Sequence, residues 1–168
     1  MLGDMRFLPF RLQGLGLEQG GLRLEAYHPR WKRLFSEEAH LIYDTLRLEP
    51  LRLHHIGSTA IQGLSAKPIL DIIGEVPNLE LIDQLQIQVE SIGYRYLGES
   101  GIPQRRFCIL QDSMFKSYVH LHLFPSGHPE VYRHILFRDF LRSSEEARQS
   151  YELSKISLIK DEKVGREK

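Results

Sequence analysis

The run Pro68-Ile69-Leu70-Asp71-Ile72-Ile73-Gly74-Glu75-Val76 constrains this chain more than any other segment. Apart from Asp71 and Glu75 it is apolar, the composition of a central strand covered on both faces. A carboxylate at Asp71 is costly in such surroundings unless it is paired or binds a cation. Thirteen residues earlier lies Ser58, in the tight turn Gly57-Ser58-Thr59 that follows the strand-like stretch Leu51 to Ile56. Two readings fit this pair of segments. In one, the turn merely ends a strand and Asp71 forms a salt bridge with Lys67 or an arginine. In the other, Gly57 supplies positive φ, the amides and hydroxyls of Ser58 and Thr59 ring a phosphate, and Asp71 faces a metal ion or the ligand.

The 168 residues suit one domain with a core of its own. Lys and Arg number 22 and so do Asp and Glu, so no global field draws the chain to nucleic acid or membrane. Any anion site must come from local clustering. The single cysteine, Cys108, fits a reducing compartment, and no apolar run approaches the ~20 residues of a membrane span. With no signal-like start, a soluble cytoplasmic domain of bacterial type is expected.

Residues 1–20, rich in glycine without a steady period, read as an irregular arm before one domain over 21–168. Within it, Leu22 to Ala26 alternates like a short strand. His28-Pro29 opens a helix whose Trp31, Leu34, Phe35, Ala39, Ile42 and Leu46 recur at helical spacing. After the Asp71 strand, Pro77-Asn78 caps a helix from Leu79 to Ile92, stopped by Gly93. Tyr94 to Gly98 reads as a strand, and Arg106–Leu110 with Tyr118–Phe124 as a hairpin. Helices from Pro129 to Leu141 and from Ser144 to about Lys160 close the chain, with Ser144 as N-cap of the second. Strands with unevenly placed helices indicate an α+β domain built on a mixed sheet flanked by helices.

Further side chains invite a chemical reading. In Tyr118-Val119-His120-Leu121-His122 the period of two sends His120 and His122 to one face, where they bind a metal, clamp a phosphate or stay solvated. His54 and His55 point to opposite faces, so at most one joins a site. Of Arg105 and Arg106, alternation turns one inward, and a guanidinium fork suits phosphate oxygens. Glu99 is a partner for either arginine or a metal ligand. Arg138 and Arg142 share a helix face with solvent as the default. Phe137 and Phe140 read as core packing, and Cys108 as a small buried strand residue.

Taken in order, the segments Tyr27-His28-Pro29-Arg30-Trp31, His55-Ile56-Gly57-Ser58-Thr59-Ala60, Gly63 to Ile72, Gly98-Glu99, Gly101-Ile102-Pro103, Arg105-Arg106-Phe107, His120-Leu121-His122 and Leu136 to Arg142 resemble the GrpB family, over Leu22 to Lys160. The resemblance implies a nucleotidyltransferase-like fold, in which a Gly-Ser turn precedes an Asp-bearing strand. It implies Asp71, His120 and His122 as catalytic and metal-holding residues, with Mg or Mn as the cofactor. His55, Gly57, Ser58, Thr59, Lys67, Glu99, Arg105 and Arg106 would contact the ligand. Such enzymes usually carry a second carboxylate two residues after the first, where this chain has Ile73. One Asp with two His suits a single metal or a phosphate cradle better than two bridged dications. GrpB-like chains tend to continue with a further Tyr- and Lys-bearing helix, where this sequence ends in the charged run Lys160 to Lys168. Two functions follow as expectations: nucleotidyl transfer to a small acceptor, or non-catalytic binding of a nucleotide or coenzyme-like phosphate ligand. A purely structural interaction domain is the third.

Overall fold

The computed structural model describes residues 11–166, with side chains through Lys160. Helix α1 spans Arg30–Leu46, entered through Pro29 and left through Arg47, whose φ of 45° ends it while its N–H still reaches the Tyr43 carbonyl. One stripe of α1, Trp31, Leu34, Ala39, Ile42 and Leu46, is buried as its spacing predicts. Strand β1 (Arg52–Ile56) leads into a single 3-10 turn at Ser58–Ala60, and strand β2 (Leu70–Val76) follows. Then come α2 (Leu79–Gln84), α3 (Gln86–Ser91), β3 (Tyr94–Tyr96), β4 (Arg106–Gln111), β5 (Ser117–Pro125), α4 (Pro129–Ser143) and α5 (Glu145–Arg166).

The five strands lie in the order β1-β2-β5-β4-β3, and only the β2–β5 pair is parallel. This is the mixed sheet of an α+β domain. Leu70, Ile72 and Val76 of β2 face the main core, with Trp31, Leu34 and Ile42 of α1 and Val89 of α3. The alternate residues Asp71, Ile73 and Glu75 face the other way, beside His120, His122 and Phe124 in register on β5. Helix α4 covers only part of that second face, where Ile56, Ile73, Phe124 and Val131 pack together. The remainder is open, and Asp71 and His120 lie there.

Several sequence expectations need correction. Residues 11–20 are irregular but packed on the domain: Leu12, Leu15 and Leu17 are buried, and Leu17 pairs with Ser117. Residues 1–10 lie outside the described part. Leu22 to Ala26 forms no strand, only a bridge between Glu25 and Ala66. The helix expected over 79–92 is two short ones meeting at Leu85, with Asn78 capping the first through the Leu81 N–H. Phe137 and Phe140 are not core residues; they are exposed, because α4 turns Val131, Arg138 and Leu141 toward the rest of the molecule. Cys108 is buried as expected, and burial pushes its thiol up to about 12.

Candidate functional site

Pairing of Ile56 with Asp71 at the end of the β1–β2 ladder fixes where the Gly57 turn must go. The chain leaves β1 directly over the Asp71 carboxylate, with Gly57 at φ 69° and ψ −173°. Only glycine adopts that conformation readily. A Cβ added there would stand 2.6 Å from Asp71 Oδ2, so the approach also requires its absence. Within the turn, Ala60 N–H donates to Gly57 O and Ile61 N–H to Ser58 O. Those bonds leave the Ser58 and Thr59 amides unused by the turn itself.

Thr59 is buried, and its hydroxyl donates to Ile69 O (3.3 Å) while facing His55 Nε2 at 3.0 Å. Because that hydroxyl's proton is committed to Ile69, His55 must donate from Nε2 and is therefore held as the Nε2–H tautomer. Burial pushes His55 down to about 4, so it is neutral at ordinary pH, stacked on Phe35. His55 thus supports the turn from the core face of the sheet and does not join Asp71. Arg138 and Arg142 support the same turn: Arg138 donates to His55 O (3.0 Å) and Arg142 to Ala60 O (2.7 and 3.0 Å). The expectation of a solvated face is thereby overturned for Arg138, which is mostly buried; Arg142 stays exposed while holding the Ala60 carbonyl.

Helix α5 supplies the most informative side chain. Lys155 Nζ donates to Ser58 Oγ (2.8 Å) and to Ser65 O (2.6 Å), and it forms no ion pair among the described residues. Burial lowers its ammonium to about 8. Lys155, Leu158 and Ile159 close one side of a cavity of about 320 Å³; Ser58, Thr59, Lys67, Asp71 and His120 line much of the rest.

His120 Nδ1 lies 3.4 Å from Asp71 Oδ1. His122 lies beside that pair, its ring 6.4 Å from the His120 ring, but it lies outside the cavity lining; its Nδ1 accepts from Arg105 at 3.4 Å, and burial pushes it down to about 4. Arg105 is the arginine that turns inward, tied to the Glu99 and Ser100 carbonyls. Arg106 forks onto Asp83 at 2.6 and 2.7 Å, where Tyr96 also donates, and Glu99 Oε1 accepts the Gln104 N–H. Glu99 and Arg106 therefore stand apart from the Asp71 cavity. Among the described residues no three His, Cys, Asp or Glu side chains are grouped to hold a metal ion. The donor set at Asp71 accordingly does not fit two dications, whose bridging needs a second carboxylate. Asp71 with His120 fits one dication only if a ligand's oxygens complete its coordination.

A mixed sheet of this order, with a Gly-Ser turn set over an Asp-bearing strand, belongs to the nucleotidyltransferase-like class of α+β folds. Cid1 poly(U) polymerase, 12% identical, shares that fold at a TM-score of 0.52 over 74% of this chain and 41% of its own. Within the class, the chain belongs to the GrpB family, whose sequence pattern, described as GrpB protein, matches residues 21–168. It is similar to the crystal structure of the conserved protein GrpB from Enterococcus faecalis: TM-score 0.77, 34% identity, 83% of this chain and 84% of that one. The UPF0157 protein YqkA of Bacillus subtilis is 36% identical over 132 residues, 79% of this chain. Glutamate-rich protein GrpB of Alkalihalophilus pseudofirmus is 30% identical over 149 residues, 86% of this chain and 84% of its own length. The chain spans 38% of the length of YqkA. No helix among the described residues is long and apolar enough to cross a membrane.

Proposed function

We propose that this chain binds a phosphate-bearing small molecule, a nucleotide or a coenzyme-like ligand, in the cavity between the Gly57 turn and α5. One observation carries the reading. Lys155 is fixed over the turn by a hydroxyl and a carbonyl, partners that orient an ammonium without neutralising it. Its charge faces a cavity that also holds Lys67 and the free amide edge of the turn, the furniture of an anion site. The volume, about 320 Å³, lies at the small end of the range for organic ligands. Asp71 and His120 then sit at the ligand's edge, where they would hold a dication if one accompanied the ligand, and it would offset phosphate charge there.

The second reading is nucleotidyl transfer, favoured by the place of Asp71 after the Gly-Ser turn. In it, Asp71 and His120 hold a single Mg or Mn, Lys155 and Lys67 offset charge on the transferred phosphates, and the Ser58 and Thr59 amides orient them. The fully buried Ile73 stands against it, since it occupies the place of the second carboxylate. Binding without transfer is therefore the better-supported function.

Thermal-shift titration with nucleoside triphosphates and coenzyme A precursors, with and without EDTA, tests both readings. A melting shift that survives EDTA and disappears in Lys155→Met is the expected result. If no phosphate ligand shifts the melt in either condition, the binding reading fails. If pyrophosphate release, followed by ³¹P NMR, requires Mg or Mn and is lost in Asp71→Asn at unchanged melting temperature, transfer replaces it.

A further inference from the structure

On the other side of Thr59 lies a second, larger cavity, of about 670 Å³. Its lining includes Tyr27, Lys32, Gln62, Gly63, Arg142 and Arg148, and no carboxylate. Three cations therefore face one partly enclosed volume. Two of them are locked in place by carbonyls. Arg142 holds Ala60 O through Nε and Nη2, and Arg148 Nη1 holds the Leu141 and Arg142 carbonyls at the end of α4. Carbonyl partners orient a guanidinium but leave its unit charge in place. Asp139 reaches Arg142 at 3.5 Å while already forked onto Arg138. Lys32, exposed in the first turn of α1, has no ion-pair partner among the described residues. Like charges held together in a partly enclosed space repel one another, and a multiply charged anion relieves that repulsion.

We infer that this cavity is a second anion site, distinct from the one beside Asp71, and that it takes the phosphoryl or pyrophosphoryl group of a small molecule. Its volume is that of a small-molecule site, and the fork geometry of two fixed guanidiniums matches phosphate oxygens. Arg142 and His55 connect it mechanically to the Gly57 turn, since one holds Ala60 O and the other Thr59 Oγ1. The inference does not depend on the proposed function, because none of Lys32, Arg142 and Arg148 lines the Asp71 cavity.

The test is a titration of ¹⁵N-labelled protein with inorganic pyrophosphate, followed by ¹H–¹⁵N NMR. Saturable shifts are expected at the Gln62 and Gly63 amides and at Arg148 Nε–H. Lys32→Glu, a surface change that puts a carboxylate into the cavity, should weaken them by about tenfold or more, the equivalent of one strong charge contact. Lys155→Met should leave them unchanged while removing any shifts at Ser58. If Lys32→Glu leaves the affinity unaltered, or pyrophosphate moves only Ser58 and its neighbours, the second site does not exist. If a single-stranded oligonucleotide moves the Gln62 and Gly63 amides and pyrophosphate does not, the small-molecule assignment is overturned.

Discussion

Two charged clusters lie toward opposite sides of this sheet, and they are built on opposite principles. At the start of β4, Arg106 meets Asp83 through two bonds, and Tyr96 adds a third contact to the same carboxylate. The Arg106 guanidinium holds Asp83 down to about 2, and Asp83 raises Arg106 in return. Nothing there is left to offer a ligand. Around the Gly57 turn Lys155 and Arg142 are instead placed mainly by neutral partners, Lys155 by Ser58 and Ser65 and Arg142 by Ala60, while Asp139 matches Arg138. Charges matched by charges stabilise the fold, whereas charges steered by carbonyls and hydroxyls stay available. That contrast separates structure from function better than residue type does, since both clusters contain arginine and aspartate.

The sharpest way to break the contrast is Gly57→Ala. Holding alanine at φ 69° and ψ −173° while displacing the Asp71 carboxylate should cost about 3 kcal/mol in denaturant unfolding and abolish ligand binding at the first cavity. The acid limb of stability comes next. His55 titrates near 4 in the fold, below its unfolded value, so the unfolded chain takes up the proton first as pH falls. Its contribution is complete above pH 6.5 and drains away between 6.5 and 4, by on the order of 2–3 kcal/mol. His55→Gln, which can still donate to Thr59, should make the stability profile shallower in that window, with His122 supplying the slope that remains.

Smaller is the effect of Lys155 on ligand affinity. Its ammonium is lost as pH rises through about 8, so affinity for a phosphate ligand should fall above that pH, about tenfold per unit at most. Lys155→Arg, if it binds, should carry that affinity to higher pH; an unchanged profile would remove Lys155 from the site. Last, Asp83→Asn should cost about 1 kcal/mol, a surface pair of good geometry. That loss should be present above the unfolded carboxylate value and vanish as pH falls toward 2, where Asp83 itself protonates. Asp71→Asn should change stability by less than about 0.5 kcal/mol, because no strong ion pair depends on it. The reverse pattern in these two variants would exchange the roles assigned to the two clusters.

What the sequence disclosed divides along the same line. The five strands of the sheet, the α1 core stripe, the Gly57 turn and its relation to Asp71 were legible because each is written in local periodicity or turn chemistry, whereas the alternation of Leu22 to Ala26 promised a strand that does not form. The β4–β5 hairpin was legible for the same reason, and so was the common face of His120 and His122. Lys155 was not, since its meaning depends on α5 packing back onto a turn 97 positions earlier. Arg138 and Arg142 were visible as a pair on one helix face, but only the docking of α4 decides that the face looks inward. Alternation required one of Arg105 and Arg106 to turn in, yet the choice rests on the register that pairs Phe107 with His122. Phe137 and Phe140 misled because aromatic content alone does not specify which side of a helix is covered.

Near the other end of the described chain, Glu38 of α1 is fully buried, bound to Arg11 at 3.0 Å and to the Tyr94 hydroxyl at 2.9 Å. Burial raises its carboxyl, and the guanidinium and phenol hold it in place. The family pattern begins at residue 21, but this three-way clasp draws the working boundary of the domain further back. Trimming the chain to the matched region would discard the counter-charge while keeping the buried acid. For anyone preparing this domain for crystallisation or labelling, Arg11 belongs inside the cut.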